Sequence, residues 1–205
     1  MTEATKKQRV LEYVKAHTVV RGEELERLGL PRAYLYQLYK EGELDRVGRG
    51  LYSWPEVDFG EHYGLVTVAK KAPRAVVVLL SALAFHNITT QNPHKVWLAI
   101  DRKGRQPSIS YPPVRFVTMS KDLLEKGVKQ YRIDGVDVKV TTPARTIADL
   151  FKYRAKVGLD VALEGLREGW KAKQFTIKEL MTSADLCRVR NVMAPYVESL
   201  VEGQV

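Results

Sequence analysis

Apolar positions along the chain change their spacing several times, and each change predicts an element. Val10, Leu11 and Val14 recur at helical spacing within residues 5–16. "TVVR" then reads as a short extended piece. "RGEELERLGL" predicts a second helix, with Gly22 near its N-cap and acids in the first turn, where the helix dipole favours them. Leu25 and Leu28 are expected to face inward and Gly29 to end that helix. Pro31 suits the start of a third helix, "RAYLYQLYKE", which Gly42 closes. "ELDRV", "GRG" and "LYSW" follow as strand, turn and strand.

Beyond "WPEVDFGEHYG", a stretch without period, the pattern is that of a larger α/β region. "HYGLVTVAKKA" predicts a helix, and "AVVVLL" either a buried strand or the lead-in to the next helix, "ALAFHNI", for which Ser81 is the expected N-cap. "KVWLAI" is apolar on both faces and is expected in the middle of a sheet. "VRFVTM" is another strand and "DLLEKG" a short helix. "KQYRIDGVDVKVTT" predicts a hairpin turning at Asp134-Gly135, a pair that suits a type I′ turn. From Thr142-Pro143 onward everything is helical: Ile147, Leu150 and Phe151 share one face, Arg145 and Asp149 form an i,i+4 pair, and three further helices follow, the last interrupted or restarted at Pro195. The fold class is therefore α+β: an N-terminal winged helix-turn-helix over residues 1–54, a linker at 55–60, and an α/β domain over 61–205. That larger domain has a mixed or antiparallel sheet and ends in a helical subdomain.

The third helix carries the chemistry of interest. Leu35, Leu38 and Tyr39 are expected to pack, which turns Arg32, Ala33, Tyr36, Gln37 and Lys40 outward. Glutamine can bond adenine bidentately and arginine guanine, while tyrosine and lysine reach phosphates. Ala33 would let the helix approach the groove floor. Arg46 and Arg49, on the expected hairpin, and Arg21, just before the second helix, complete the eight expected DNA contacts. Such shapes also serve as plain packing or protein-contact modules.

Charge extends the picture. The chain has 205 residues and a formal net charge of +9. Residues 61–140 hold thirteen Lys/Arg against six Asp/Glu, so most of the excess lies outside the N-terminal helices. Lys70, Lys71, Arg74, Arg102, Lys103 and Arg105 are candidates for secondary nucleic-acid contacts, with DNA, an RNA or mere solubility as the competing uses of that surface. A single cysteine, Cys187, excludes an internal disulfide, and no apolar run reaches the roughly 18 residues of a membrane span, so a cytoplasmic protein with no membrane partner is expected.

Signals for catalysis are sparse, and no catalytic residue, metal site or cofactor is expected. "GRG" is too short for a phosphate loop. The four histidines show no metal-binding pair, and His86 reads as a helix-end residue. The one enzymatic alternative is a metal-dependent, restriction-like nuclease using Asp137 and Lys139, two apart on a strand, with Asp101 as the upstream acid.

Taken together, "SALAFHNITTQNP", "KVWLAI", "DGVDVKVTTPARTIADLFKYRAKVGLDVALEGL" and the "GELDRVGRGLY" segment resemble the AbiEi family, antitoxins of type IV toxin–antitoxin (abortive infection) systems. The resemblance implies a non-enzymatic repressor whose N-terminal domain binds inverted repeats in its own promoter. It also implies a C-terminal domain that counters a nucleotidyltransferase toxin without needing a stable complex. Inverted repeats in turn suit two copies, a dimer or a cooperative pair, on the DNA. Members of similar size are also found as solitary regulators. What transfers by residue is the third helix, Arg32 to Lys40, and the hairpin from Arg46 to Arg49.

Overall fold

A computed structural model of the chain describes residues 3–17, 19–55, 62–89, 93–109 and 111–202. In chain order the elements are α1 (Glu3–Lys15), β1 (Val20–Arg21), α2 (Gly22–Arg27), α3 (Ala33–Lys40), β2 (Asp45–Gly48), β3 (Leu51–Ser53), α4 (Tyr63–Lys71), β4 (Val76–Val77) and α5 (Leu79–Phe85). They continue with β5 (Val96–Asp101), β6 (Val114–Met119), α6 (Lys121–Glu125), β7 (Val128–Ile133), β8 (Val136–Thr141), α7 (Pro143–Lys152), α8 (Arg154–Val157), α9 (Leu159–Lys171), α10 (Ile177–Cys187) and α11 (Arg190–Glu202). They pack as two units: Met1–Pro73 with Ser108–Pro112 and Arg132–Asp137, and the remainder.

The first unit closes around Val10 and Val14 of α1, Val20, Leu25, Leu30, Tyr34, Leu35, Leu38, Leu44 and Tyr52. Its sheet has the order β1-β3-β2. The last two residues of the "TVVR" piece thus form a strand: Val20 pairs with Tyr52 and Arg21 with Leu51, antiparallel. β3 is therefore central rather than an edge, and Leu51, Tyr52 and Ser53 are all buried. Of the two leucines expected to face inward on α2, Leu25 is fully buried but Leu28 is 48% exposed. The helix ends at Arg27, so Leu28 lies past its last full turn and Leu30 fills the core instead. Gly42 terminates α3 with φ +78°, a backbone setting that glycine adopts without the Cβ penalty other residues carry. Its amide bonds Tyr39 O at 3.2 Å, and Glu43 N bonds Leu38 O at 2.9 Å.

α4 belongs to this first unit, although its sequence reads as the start of the second domain. One side chain ties it there. Lys70 is buried, and its ammonium lies against Val19 O and both carboxylate oxygens of Glu24, at 3.0 and 2.9 Å for the latter pair. Most of the linker expected at 55–60 lies outside the described residues.

The second unit is a mixed five-stranded sheet in the order β6-β5-β4-β8-β7. β4 runs antiparallel to β5 and parallel to β8, and β5 is parallel to β6 from Val96↔Val114 to Asp101↔Met119. β5 is interior, as its two-sided apolar pattern predicts. The "AVVVLL" run serves as both things its composition allowed, a two-residue strand and then the start of α5. Asp134 and Gly135 both have positive φ, 47° and 74°, the signature of the expected turn between β7 and β8.

α7 is the pivot of this unit. Every residue from Ala144 to Phe151 is buried, and Ile147, Leu150 and Phe151 lie in one cluster with residues of α5, α9, α10 and α11. The i,i+4 pair is present, Arg145 Nε to Asp149 Oδ1 at 3.1 Å, and both side chains are fully buried. Arg145 also donates to Lys126 O at 2.6 Å and lies 3.6 Å from Met119 Sδ. Cys187 of α10 donates to Asp149 Oδ1 at 3.3 Å. Burial, with the Asp149 carboxylate beside it, pushes the Cys187 thiol up to about 12.

Candidate nucleic-acid interface

α3 divides cleanly into two faces. Tyr34, Leu35 and Leu38 are buried, with residue 34 one turn before residue 38 and residue 35 beside them. Arg32, Ala33, Tyr36, Gln37 and Lys40 are all exposed, Tyr36 by 53%. Tyr39, expected in the packed set, is instead 37% exposed, and Tyr34 takes the inward position. Tyr39 lies beside the exposed stripe with its ring centroid 6.3 Å from that of Tyr36 and 6.2 Å from that of Tyr52 on β3. The Lys40 ammonium stands 5.7 Å from the Tyr36 ring centroid. The outward face is thus an aromatic row edged by two cations and an amide.

Beside it opens a cleft of about 350 Å³, lined by residues of β1, α2, α3, β3 and the turns before α3 and β3, among them Arg21, Arg32, Ala33, Tyr36, Gly50 and Tyr52. Gly22 makes the close approach of α2 to α3: a Cβ there would sit 3.0 Å from Arg32 Cβ. Arg32 Nε is 3.4 Å from Glu26, an exposed pair that leaves the guanidinium in solvent. Arg46 and Arg49 are exposed on the β2–β3 hairpin. The register slips between Arg46↔Tyr52 and Gly48↔Leu51, a bulge that kinks the strand carrying Arg46. Seven of the eight expected contact residues are therefore on the surface.

Arg21 is the eighth, and it is half-buried. Its Nη1 donates to Lys70 O at 2.7 Å, its Nη2 is 3.8 Å from Glu23, and its backbone amide donates to Glu24 Oε1 at 3.0 Å. It caps α2 and holds α4 as well as lining the cleft.

Among the expected secondary contacts, Lys70 needs correction. Its ammonium lies inside, bound to Val19 O and Glu24, because β1 and α2 close over the end of α4. Burial pulls its pKa down, against the stabilising pull of Glu24. Lys71 is half-buried, and its ammonium donates to Tyr111 O at 3.0 Å. Arg74, Arg102, Lys103 and Arg105 are exposed on the second unit.

Ser81, His86, Asp137 and Asp101 each have a structural partner. Ser81, expected as an N-cap, lies inside α5, whose N-cap is Val78; its Oγ accepts from Trp97 N at 2.9 Å and ties α5 to β5. His86 ends α5 with Nε2 2.7 Å from Thr141 O. Asp137 is exposed and paired with Arg132 at 2.8 Å, and Asp101 accepts from Lys103 N at 2.9 Å. Among the described residues no three His, Cys, Asp or Glu side chains are grouped to hold a metal, and no helix is long and apolar enough to cross a membrane.

The pattern of apolar positions missed Tyr52 and Gly50 as cleft residues, since β3 becomes central only when β1 joins it. No curated protein sequence matches the chain. Residues 8–54 match the family model described as a transcriptional regulator, AbiEi antitoxin. That stretch contains α2, α3, the hairpin and all eight expected contact residues, and over it the chain is similar to the AbiEi antitoxin transcriptional regulators.

Proposed function

We propose that the N-terminal unit is a winged helix-turn-helix, that it represses its own operon by binding inverted repeats, and that the whole chain is the antitoxin of a type IV pair. The observation that carries the reading is the polarity of α3: a helix whose inner face is buried while Arg32, Tyr36, Gln37 and Lys40 all stand in solvent. A recognition helix needs that division, with α3 in the major groove and the Arg46–Arg49 hairpin across the neighbouring backbone. The family match over residues 8–54 supports the same assignment. Two copies on an inverted repeat would place two α3 helices one helical turn of DNA apart. The partner toxin is a nucleotidyltransferase, countered by the larger unit without catalysis by this chain.

A mobility shift with the duplex immediately upstream of the gene tests the reading, with a random duplex of equal length as control. Gln37→Ala removes a base-reading amide and should cost about 1–3 kcal/mol on the upstream duplex only. Lys40→Ala and Arg49→Ala should weaken binding to both duplexes, each lowering the slope of log affinity against log salt by about 0.9. Equal loss on both duplexes for Gln37→Ala would remove α3 from the reading role. A toxicity-rescue assay with an adjacent nucleotidyltransferase gene tests the antitoxin half.

A further inference from the structure

The DNA-reading surface ends, in sequence terms, at the hairpin. In the fold its cleft has one more support. Arg21 lines the cleft and caps α2, and its guanidinium donates to Lys70 O at 2.7 Å. The Lys70 side chain returns the contact: its ammonium is bound to Val19 O, next to β1, and to both oxygens of Glu24, at 3.0 and 2.9 Å. Glu24 in turn accepts from the Arg21 amide at 3.0 Å. Arg21 of β1, Glu24 of α2 and Lys70 of α4 thus close a circuit of hydrogen bonds, with Val19 O as a further partner of the lysine. The Lys70 side chain is only 6% exposed, so its charge is held by protein groups rather than by water. The same end of α4 reaches the hairpin: a Cβ on Gly48 would meet Lys71 Nζ at 2.7 Å.

We infer that Lys70 is a positioning residue for DNA recognition, holding Arg21 and the start of α2 in place through Glu24 and Val19 while making no phosphate contact of its own. The inference rests on the repressor reading above. It makes α4, which lies beyond the family match, a working part of the DNA-binding unit. A buried lysine whose three donors are shared between a carboxylate and a carbonyl is geometrically suited to this. A residue that supports a site from behind typically changes affinity by about tenfold or more when removed, without changing the set of groups at the contact.

The test measures affinity of the full chain for the upstream duplex across a range of salt, together with the far-UV spectrum and thermal midpoint of each variant. Lys70→Met should reduce affinity about tenfold with the salt slope unchanged from wild type. A slope lower by about 0.9 would mean that Lys70 touches a phosphate, and the positioning role would be overturned. Glu24→Gln provides the second arm and keeps the side-chain shape if Lys70→Met folds poorly. Removing a negative charge next to DNA should by simple electrostatics tighten binding; loss of the circuit should weaken it. Weaker binding by Glu24→Gln supports the inference, and tighter or unchanged binding sinks it. Wild-type protein that shifts no DNA would overturn the repressor reading and this role together. Wild-type binding with both variants at wild-type affinity would overturn the positioning role alone.

Discussion

Tyr34 and Tyr39 show how little separates a packed residue from a presented one. Both lie on α3 among leucines, and helical spacing alone allows either beside Leu35 and Leu38. The core of α1, β1 and β3 selects Tyr34, and Tyr39 is left 37% exposed against Tyr52. Lys70 makes a similar point: in sequence it is one cation of a basic surface, and in the fold it is an internal bond. His86 lends itself to a direct measurement. Burial holds its imidazole below the ordinary 6.5, outweighing the Thr141 carbonyl that favours the charged ring. Between that lowered value and 6.5 the unfolded chain takes up a proton that the native chain does not. Stability from this group is therefore full above about pH 6.5 and lost as pH falls through the window. The thermal midpoint of wild-type protein should fall more steeply than that of His86→Gln as pH goes from about 7.5 to about 5. Parallel profiles would remove His86 as the cause.

Elements were legible where composition and spacing agreed. The start and stop of α3 follow from Pro31 and Gly42, and the start of α7 from Thr142-Pro143; at α10 the structure adds a cap the spacing did not supply, in which Glu179 N bonds Thr176 Oγ1 at 3.2 Å and Thr176 N bonds Glu179 Oε2 at 2.8 Å. The stop at Gly42 can be weighed. Its φ of +78° strains any residue with a Cβ, yet no atom lies within 4 Å of where that Cβ would be. Gly42→Ala should therefore destabilise by about 1 kcal/mol through backbone strain alone. Denaturant unfolding would show the loss, and DNA affinity measured well below the transition should stay at the wild-type value. A loss of affinity without a loss of stability would mean that the turn itself meets DNA. Elements that depend on partners were harder to read. The extended character of "TVVR" and "AVVVLL" is legible, but the partners of β1 and β4 are not: each two-residue strand exists because a longer neighbour supplies its hydrogen bonds. Ser81 is not the N-cap of α5 for the same reason: its hydroxyl accepts from Trp97 N sixteen residues away and not from its own helix.

For the whole molecule, the division of the chain matters most. Composition puts a boundary near residue 55, and packing assigns α4 to the N-terminal unit. A fragment of residues 1–54 lacks the lysine that holds Glu24, while one of residues 1–73 retains it. The longer fragment should be more stable by at least about 1 kcal/mol, which for a domain of this size is a midpoint higher by about 4–8 °C. Equal midpoints would show that α4 adds nothing to the N-terminal core. In the second unit, the fully buried Arg145–Asp149 pair and the Cys187 thiol bonded to it fasten α7 to α10. Truncating one member of such a pair leaves the other charge buried and unsatisfied, which is why "TPARTIADLF" tolerates no simple reading as a surface helix.

The sequence by itself determined the class of the fold, the order of the longer elements, the outward set on α3 and the likeness to the AbiEi antitoxins. All of these are written in local spacing, turn residues and motif order, which act over a few positions at a time. Only the tertiary structure decided which tyrosine is presented, which lysine is spent inside, that β3 is a central strand, and where the first unit ends. Those outcomes depend on groups far apart in the chain competing for the same space and the same hydrogen bonds, and no periodicity along the chain records who wins.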